Sequence, residues 1–275
     1  MKDLSEDERK VAKAARSYIE EHKEQLVEKL ITGKNPLRLS FSAICMAGSP
    51  GAGKTEFSKR YIPSTLDRND VKLVRKLKML GVDIESVDAL LVRIDADEIR
   101  DFLPDDLYHK TDIVSGVRGN AHVVQQAVNY GLNVLRKYCL RNDVSFIHDG
   151  TFSNYDTMRN LIRASLDRGR DVQIFYIYLD PVTAWHFTKA REGIEGRNIR
   201  KEDFIRQFFK SRENVDRAKA DFGSDIRVHC VIKDAKNEPI FIEQNVPSVD
   251  KYLKSKYDKG LIKSYSEEGL RRELD

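Results

Sequence analysis

The stretch CMAGSPGAGKTEFSKRY, Cys45 to Tyr61, decides the fold. An apolar run, Ala43 to Ala47, leads into it, and an amphipathic run, Glu56 to Tyr61, leads out. Between them Gly48-Ser49-Pro50-Gly51-Ala52-Gly53-Lys54-Thr55 fits the pattern G-x-x-x-x-G-K-[ST] at every fixed position. Glycines in such a loop let backbone N–H groups curl around phosphate oxygens, and the helix that follows presents its positive end to them. The apolar run before and the helical run after are the context the pattern requires, and they separate it from an accidental glycine-rich turn. ATP is therefore expected on residues 48–55, with Lys54 reaching the β- and γ-phosphates and the Thr55 hydroxyl on Mg²⁺.

Apolar runs recur along the chain, at 39–47, LLVRID (90–95), VSFIHD (144–149), VQIFYIYL (172–179) and RVHCVIK (227–233). Their apolarity is continuous rather than alternating, which suits strands covered on both faces of a parallel sheet. Helical patterns at 118–141, 155–168, 182–192 and 201–221 separate them, and EPIFIEQNV (238–246) reads as a short edge hairpin. The fold class is α/β: a doubly wound, mainly parallel sheet of P-loop type with helical appendages at both ends. The expected divisions are an amphipathic helical segment at 1–36, a kinase domain at 37–247 and a polar helical tail at 248–275, set apart from the chemistry. An unusually long connection, 62–89, contains VKLVRKLKML. It reads as a solvated helix burying Val71, Val74, Leu77 and Leu80, or as a basic patch.

In open α/β sheets ligands sit at the carboxyl ends of the strands. There the chain places RIDADEIR, with Asp95 and Asp97; HDGTFSN, with Asp149, Thr151 and Ser153; and, after the fourth run, AREGIEGRNIR, with Arg191, Arg197 and Arg200. Phosphoryl transfer needs a carboxylate to take the acceptor proton and cations to meet charge spreading over the transferred group. Asp97 is the candidate base. Asp95 reads as a helix cap, Asp149 as a metal-side or acceptor-binding carboxylate, and Arg191 and Arg197 as lid residues hinged by Gly193 and Gly196.

The order of phosphate loop, IDADEIR, HDGT and AREGIEGR resembles that of the zeta-toxin family of bacterial toxin–antitoxin kinases, over roughly residues 40–235. The resemblance implies Asp97 as general base, Asp149 and Thr151 as acceptor contacts, Arg191 and Arg197 as lid arginines, and Lys54 and Thr55 at the nucleotide. It implies ATP-dependent phosphorylation of a UDP-sugar, UDP-N-acetylglucosamine, and a small antitoxin covering the ATP site. The family helix before the acceptor element usually carries a Glu that holds the sugar. Here the stretch from His122 to Asn142 has no acidic residue, and Asp149 stands where Glu is frequent. Two alternatives stay open beside the UDP-sugar kinase. One is another P-loop kinase, acting on a small molecule or a polynucleotide end; the other is a non-catalytic module gated by ATP.

Composition bounds the rest. With 48 basic and 44 acidic residues the net charge is only +4, and the charges are interspersed, which is no nucleic-acid signature. No run approaches the ~18 apolar residues of a membrane span. The acidic start MKDLSEDER lacks the apolar core of a secretory signal, so a cytoplasmic setting is expected. Cys45, Cys139 and Cys230 are widely spaced in apolar runs and read as buried free thiols. The amphipathic stretch 5–33 must bury its stripe either on the kinase domain beside the first strand or against a partner.

Overall fold

The computed structural model describes residues 4–34, 42–65, 91–110, 119–195 and 199–274. The chain opens with α1 (Glu6–Glu21) and α2 (Lys23–Leu30), then runs β1 (Ser42–Ala47), α3 (Lys54–Thr65), β2 (Val92–Asp95) and α4 (Ala96–Arg100). It continues with α5 (Gln125–Arg141), β3 (Phe146–Asp149), α6 (Tyr155–Leu166), β4 (Asp171–Tyr178), α7 (Pro181–Glu195) and α8 (Lys201–Phe222). It ends with β5 (Ile226–Lys233), β6 (Pro239–Glu243), α9 (Val249–Asp258) and α10 (Glu267–Glu273).

The strands form one sheet in the order β2-β3-β1-β4-β5-β6. The first five run parallel, and β6 closes one edge antiparallel to β5. Every residue of β1 and β3 is buried, as strands sandwiched between helical layers must be. On β2 only Val92 and Ile94 are buried, so Arg93 and Asp95 share the other face and open toward the strand tips. The chain leaves β1 for β2 at one edge, returns to β3 beside β1, and then crosses to β4 on the other side of β1. The crevice at its carboxyl end is the place where such sheets hold ligands.

α1 begins with a capping box: Ser5 Oγ accepts from the Glu8 N–H at 3.2 Å, and the Glu8 carboxylate accepts from the Ser5 N–H at 2.7 Å. The two N-terminal helices bury Ala12, Ala15, Ile19, Leu26 and Leu30, packing on α5 and reaching β2. The Arg16 guanidinium lies 3.2 Å over the Tyr130 ring. This corrects the expected place beside the first strand: the two helices lie on α5 and β2, and β1 is met instead by α3 and α8. Apolar periodicity says that a stripe is buried, but not against which element.

The C-terminal tail is helical but not apart from the rest. α9 packs on α8 and β5, and α10 on α7 and α8. The Asp216 carboxylate of α8 accepts from Ser248 Oγ at 2.7 Å and from the N–H groups of Val249 and Asp250 at 2.6 and 3.0 Å, capping α9 from outside. Arg271 grips the Glu202 carboxylate with two bonds of 2.9 Å, and Leu270 and Leu274 are buried. The tail thus braces the two helices on either side of residues 196–198.

Two boundaries moved. α3 continues to Thr65, so the long connection starts later than expected; its remainder, including Val71, Val74, Leu77 and Leu80, lies outside the described residues. α7 runs through Gly193 to Glu195 instead of ending before it. The three cysteines are buried and unpaired, as expected, and burial pushes each thiol well above its ordinary value. Among the described residues no helix is long and apolar enough to cross a membrane.

Candidate active site

The loop between β1 and α3 begins at Gly48, whose φ is +133°; a Cβ there would stand 2.3 Å from the Ile177 carbonyl oxygen, so only glycine fits. Its N–H donates to Ser211 Oγ of α8 at 2.7 Å and toward the Thr151 carbonyl at 3.4 Å. Lys54 Nζ donates to the loop carbonyls of Ser49 and Gly48, at 2.7 and 3.3 Å. Burial holds the Lys54 ammonium below its usual range, while Asp149, Glu56 and Asp95 push it back up and Arg191 adds to the lowering. Residues from four separate segments therefore converge electrostatically on the loop lysine.

Thr55 Oγ1 donates to Asp149 Oδ2 at 2.8 Å, and Arg93 Nη1 donates to the same oxygen at 2.8 Å. Arg93 also donates to Ser58 Oγ at 2.7 Å, and Ser58 Oγ donates to the Thr55 carbonyl at 3.0 Å. The side chains of Asp149 and Arg93 are only 5% and 15% exposed, so this ion pair is screened far less than a surface pair. Asp149 thus turns toward the phosphate-loop helix. The sequence reading missed Arg93. Its signal was a charge inside an otherwise apolar strand, two residues before Asp95 and on the same face.

Thr55 and Asp149 offer hard oxygen donors. Among the described residues no cluster of three or more His, Cys, Asp or Glu is arranged to hold a metal. A hydroxyl and one carboxylate beside a phosphate loop fit Mg²⁺, which takes much of its shell from substrate phosphates and water.

At the tip of β2, Asp95 accepts from the Asp97 N–H at 2.9 Å and caps α4, as expected. Burial pushes the Asp95 carboxyl up to about 6, and the neighbouring Asp97 and Asp149 charges add to the rise. Asp97 accepts from Arg100 Nη1 at 2.5 Å. Arg100 Nη2 donates to Gln125 Oε1 at 2.7 Å, and Gln125 Nε2 donates to Asn129 Oδ1 at 3.0 Å. A polar line therefore runs from the candidate base to α5 through two amide side chains. Arg100, one helical turn after Asp97, also escaped the sequence reading.

Thr151 Oγ1 lies 2.9 Å from Ser153 Oγ, and its carbonyl faces Gly48. Arg191 is half-buried on α7, near enough for its charge to bear on Lys54. Arg200 is exposed at the start of α8 and pairs with Asp203 at 2.9 Å. Arg197 and Gly196 lie outside the described residues. On the opposite face of β3, buried His148 accepts from Arg136 Nη2 at 3.2 Å, and burial holds its imidazole well below the usual range, hence neutral.

The sequence profile described as Zeta toxin matches residues 82–246, more than half of the chain. No curated protein sequence matches it. Among solved structures it is similar to one from the PezAT chromosomal toxin–antitoxin system of Streptococcus pneumoniae. There the TM-score is 0.53 and the identity 16%, over 99% of this chain and 93% of that one. The native AvrRxo1-ORF1:-ORF2 complex gives a TM-score of 0.53 at 15% identity, over 90% of this chain and 70% of that one. The same pair solved with ATP gives 0.52 at 13%, over 94% and 73%. Identities this low show the fold alone: one mainly parallel sheet with flanking helices, of P-loop kinase type. The family match goes further, and with it the chain belongs to the zeta-toxin family.

Proposed function

We propose that this protein is an ATP-dependent kinase that transfers the γ-phosphoryl group to a sugar hydroxyl of a UDP-amino sugar, UDP-N-acetylglucosamine first among them. One observation carries the reading. Thr55 of the phosphate loop is bonded to Asp149 at 2.8 Å, while Asp97 stands just beyond the tip of β2, two strands away in the same crevice. Donor and acceptor sides thus share one row of strand ends.

In this scheme the loop 48–53 and Lys54 hold the β- and γ-phosphates. Thr55 and Asp149 would hold Mg²⁺, which supplies charge neutralisation at the phosphate oxygens. Asp97 takes the proton of the attacking hydroxyl, and Arg100, at 2.5 Å, fixes the orientation of its carboxylate. Arg191 and Arg197 meet the charge that develops on the transferred group. Thr151, on the segment after β3, contacts the acceptor. A small antitoxin that covers the ATP entrance in a cytoplasmic setting completes the proposal, supported by family membership and by the complexes among the similar structures.

A second acceptor class is favoured by one observation: α5 presents the Gln125 and Asn129 amides beside Arg100 and no carboxylate. The test is a panel. The intact chain, with Mg²⁺ and γ-labelled ATP, is offered UDP-sugars, nucleosides and RNA 5′-ends. Label on a UDP-amino sugar, lost in Lys54→Ala while the melting temperature is kept, supports the reading. Label on nucleosides or RNA alone moves the acceptor, and no transfer to any acceptor sinks the kinase.

A further inference from the structure

Lys233, the last residue of β5, is 4% exposed and forms no ion pair among the described residues. Its Nζ donates instead to the Gly53 carbonyl at 3.2 Å, a contact across 180 residues of sequence. Gly53 has φ +71°; a Cβ there would stand 2.5 Å from Lys233 Nζ and 2.2 Å from Asn237 Oδ1, so the two polar atoms fill the slot behind the loop. Asn237 Oδ1 is itself buried with no hydrogen-bond donor. The turn that carries these groups is firmly built. The Asp234 carboxylate accepts from the N–H groups of Lys236 and Glu238 at 2.9 and 3.0 Å, and Glu238 accepts from Arg60 of α3 at 2.8 and 3.0 Å.

A buried ammonium that no carboxylate touches costs folding free energy, though the more distant charges of Glu56, Glu238 and Asp234 offset part of that cost. What it touches explains why it stands there. The peptide unit whose oxygen it holds is Gly53–Lys54, and the N–H of that unit is one of those that a phosphate loop turns toward its ligand. A cation on the oxygen fixes the peptide with its N–H inward and polarises it, which makes that N–H a stronger donor. We propose that Lys233 is a positioning residue of the donor phosphate site, acting through the Gly53–Lys54 peptide. The inference rests on the donor reading above and adds to it a residue outside the loop pattern.

The experiment uses the intact chain with Mg²⁺, measuring calorimetric binding of ATP and of inorganic tripolyphosphate, and thermal melting without ligand. Lys233→Met removes the charge and the donor but fills the same space. It should weaken both ligands by the same factor, about tenfold, the lower end for a charge-assisted hydrogen bond. It should melt at or above the wild-type temperature, because burial of the ammonium outweighs the pull of Glu56, Glu238 and Asp234. Lys233→Gln keeps a neutral donor for the Gly53 carbonyl and should recover part of the affinity. A structural role alone moves melting down and leaves affinity in place. Binding by Lys233→Met within about twofold of wild type, or its failure to fold, overturns the inference. Wild-type protein that binds neither ligand overturns the kinase reading, and the inference with it.

Discussion

Asp95→Asn should make the protein more stable at neutral pH and leave it nearly unchanged in acid. The Asp95 carboxyl is raised from 3.8 to about 6, first by burial and then by Asp97 and Asp149. Between those values the folded state binds more protons at this site than the unfolded chain does. Stability contributed here is complete below pH 3.8 and is lost as the pH rises through about 6. Two units correspond to a ceiling of about 3 kcal/mol. Shared among three coupled carboxylates, about 1–2 kcal/mol is expected at one of them. Asparagine caps a helix as well as aspartate does and keeps an oxygen for the Asp97 N–H, now at 2.9 Å, so the cap itself is not lost. Urea unfolding with chelator present, at pH 3.5 and pH 7.5, reads the difference directly. The variant should gain over wild type at the higher pH only. A loss that is larger at pH 7.5 than at pH 3.5 would mean that Asp95 is held as a favourable charge by the neighbouring cations, and the burial argument would fall.

Arg93→Met leaves Asp149 buried without its cation and should cost about 3–5 kcal/mol by denaturant unfolding; adding Asp149→Asn should recover part of that loss. Asp97→Asn should slow phosphoryl transfer by ~10²–10⁴ while calorimetric ATP affinity stays put; damage from Asp95→Asn alone would reverse the assignment of the base. Arg191→Lys should not restore full turnover, since the planar fork is lost, and ATP affinity should move little. A raised KM with an unchanged kcat would make Arg191 an ordinary binding residue.

The sheet was legible because its strands are buried on both faces. Continuous runs such as AICMA and VQIFYIYL have no other economical use, and the phosphate loop is written in eight consecutive residues. The cap at β2 was also legible, since Asp95 and the Asp97 N–H that it meets lie within one short stretch. What escaped depends on contacts across distance. Arg93 meets Asp149 from 56 residues away and Lys233 meets Gly53 from 180, and neither separation leaves a pattern in the chain. The amphipathic N-terminal stretch announced a buried stripe, yet an apolar stripe fits any apolar partner, and α5 was chosen by topology. The tail read as polar and helical because its buried residues, Val249, Leu253, Leu270 and Leu274, are few among many charges, and its tie from Arg271 to Glu202 is between two charges that read as solvated.

The shared N–H of Gly48 has a thermodynamic consequence. It points at Ser211, 163 residues on, in the helix that starts just past Arg197, and at the Thr151 carbonyl of the acceptor segment. One amide at the mouth of the phosphate loop is therefore held jointly by α8 and by the segment after β3. On the proposed roles, a shift of α8 or of Thr151 as an acceptor settles would redirect that amide and so alter the grip on the nucleotide. Coupling of this kind is reciprocal: whatever factor the acceptor adds to nucleotide affinity, the nucleotide returns to the acceptor. The two substrates are then recognised as a pair, and a change at Ser211, which has no part in either chemistry, would surface as a change in how strongly each one calls for the other.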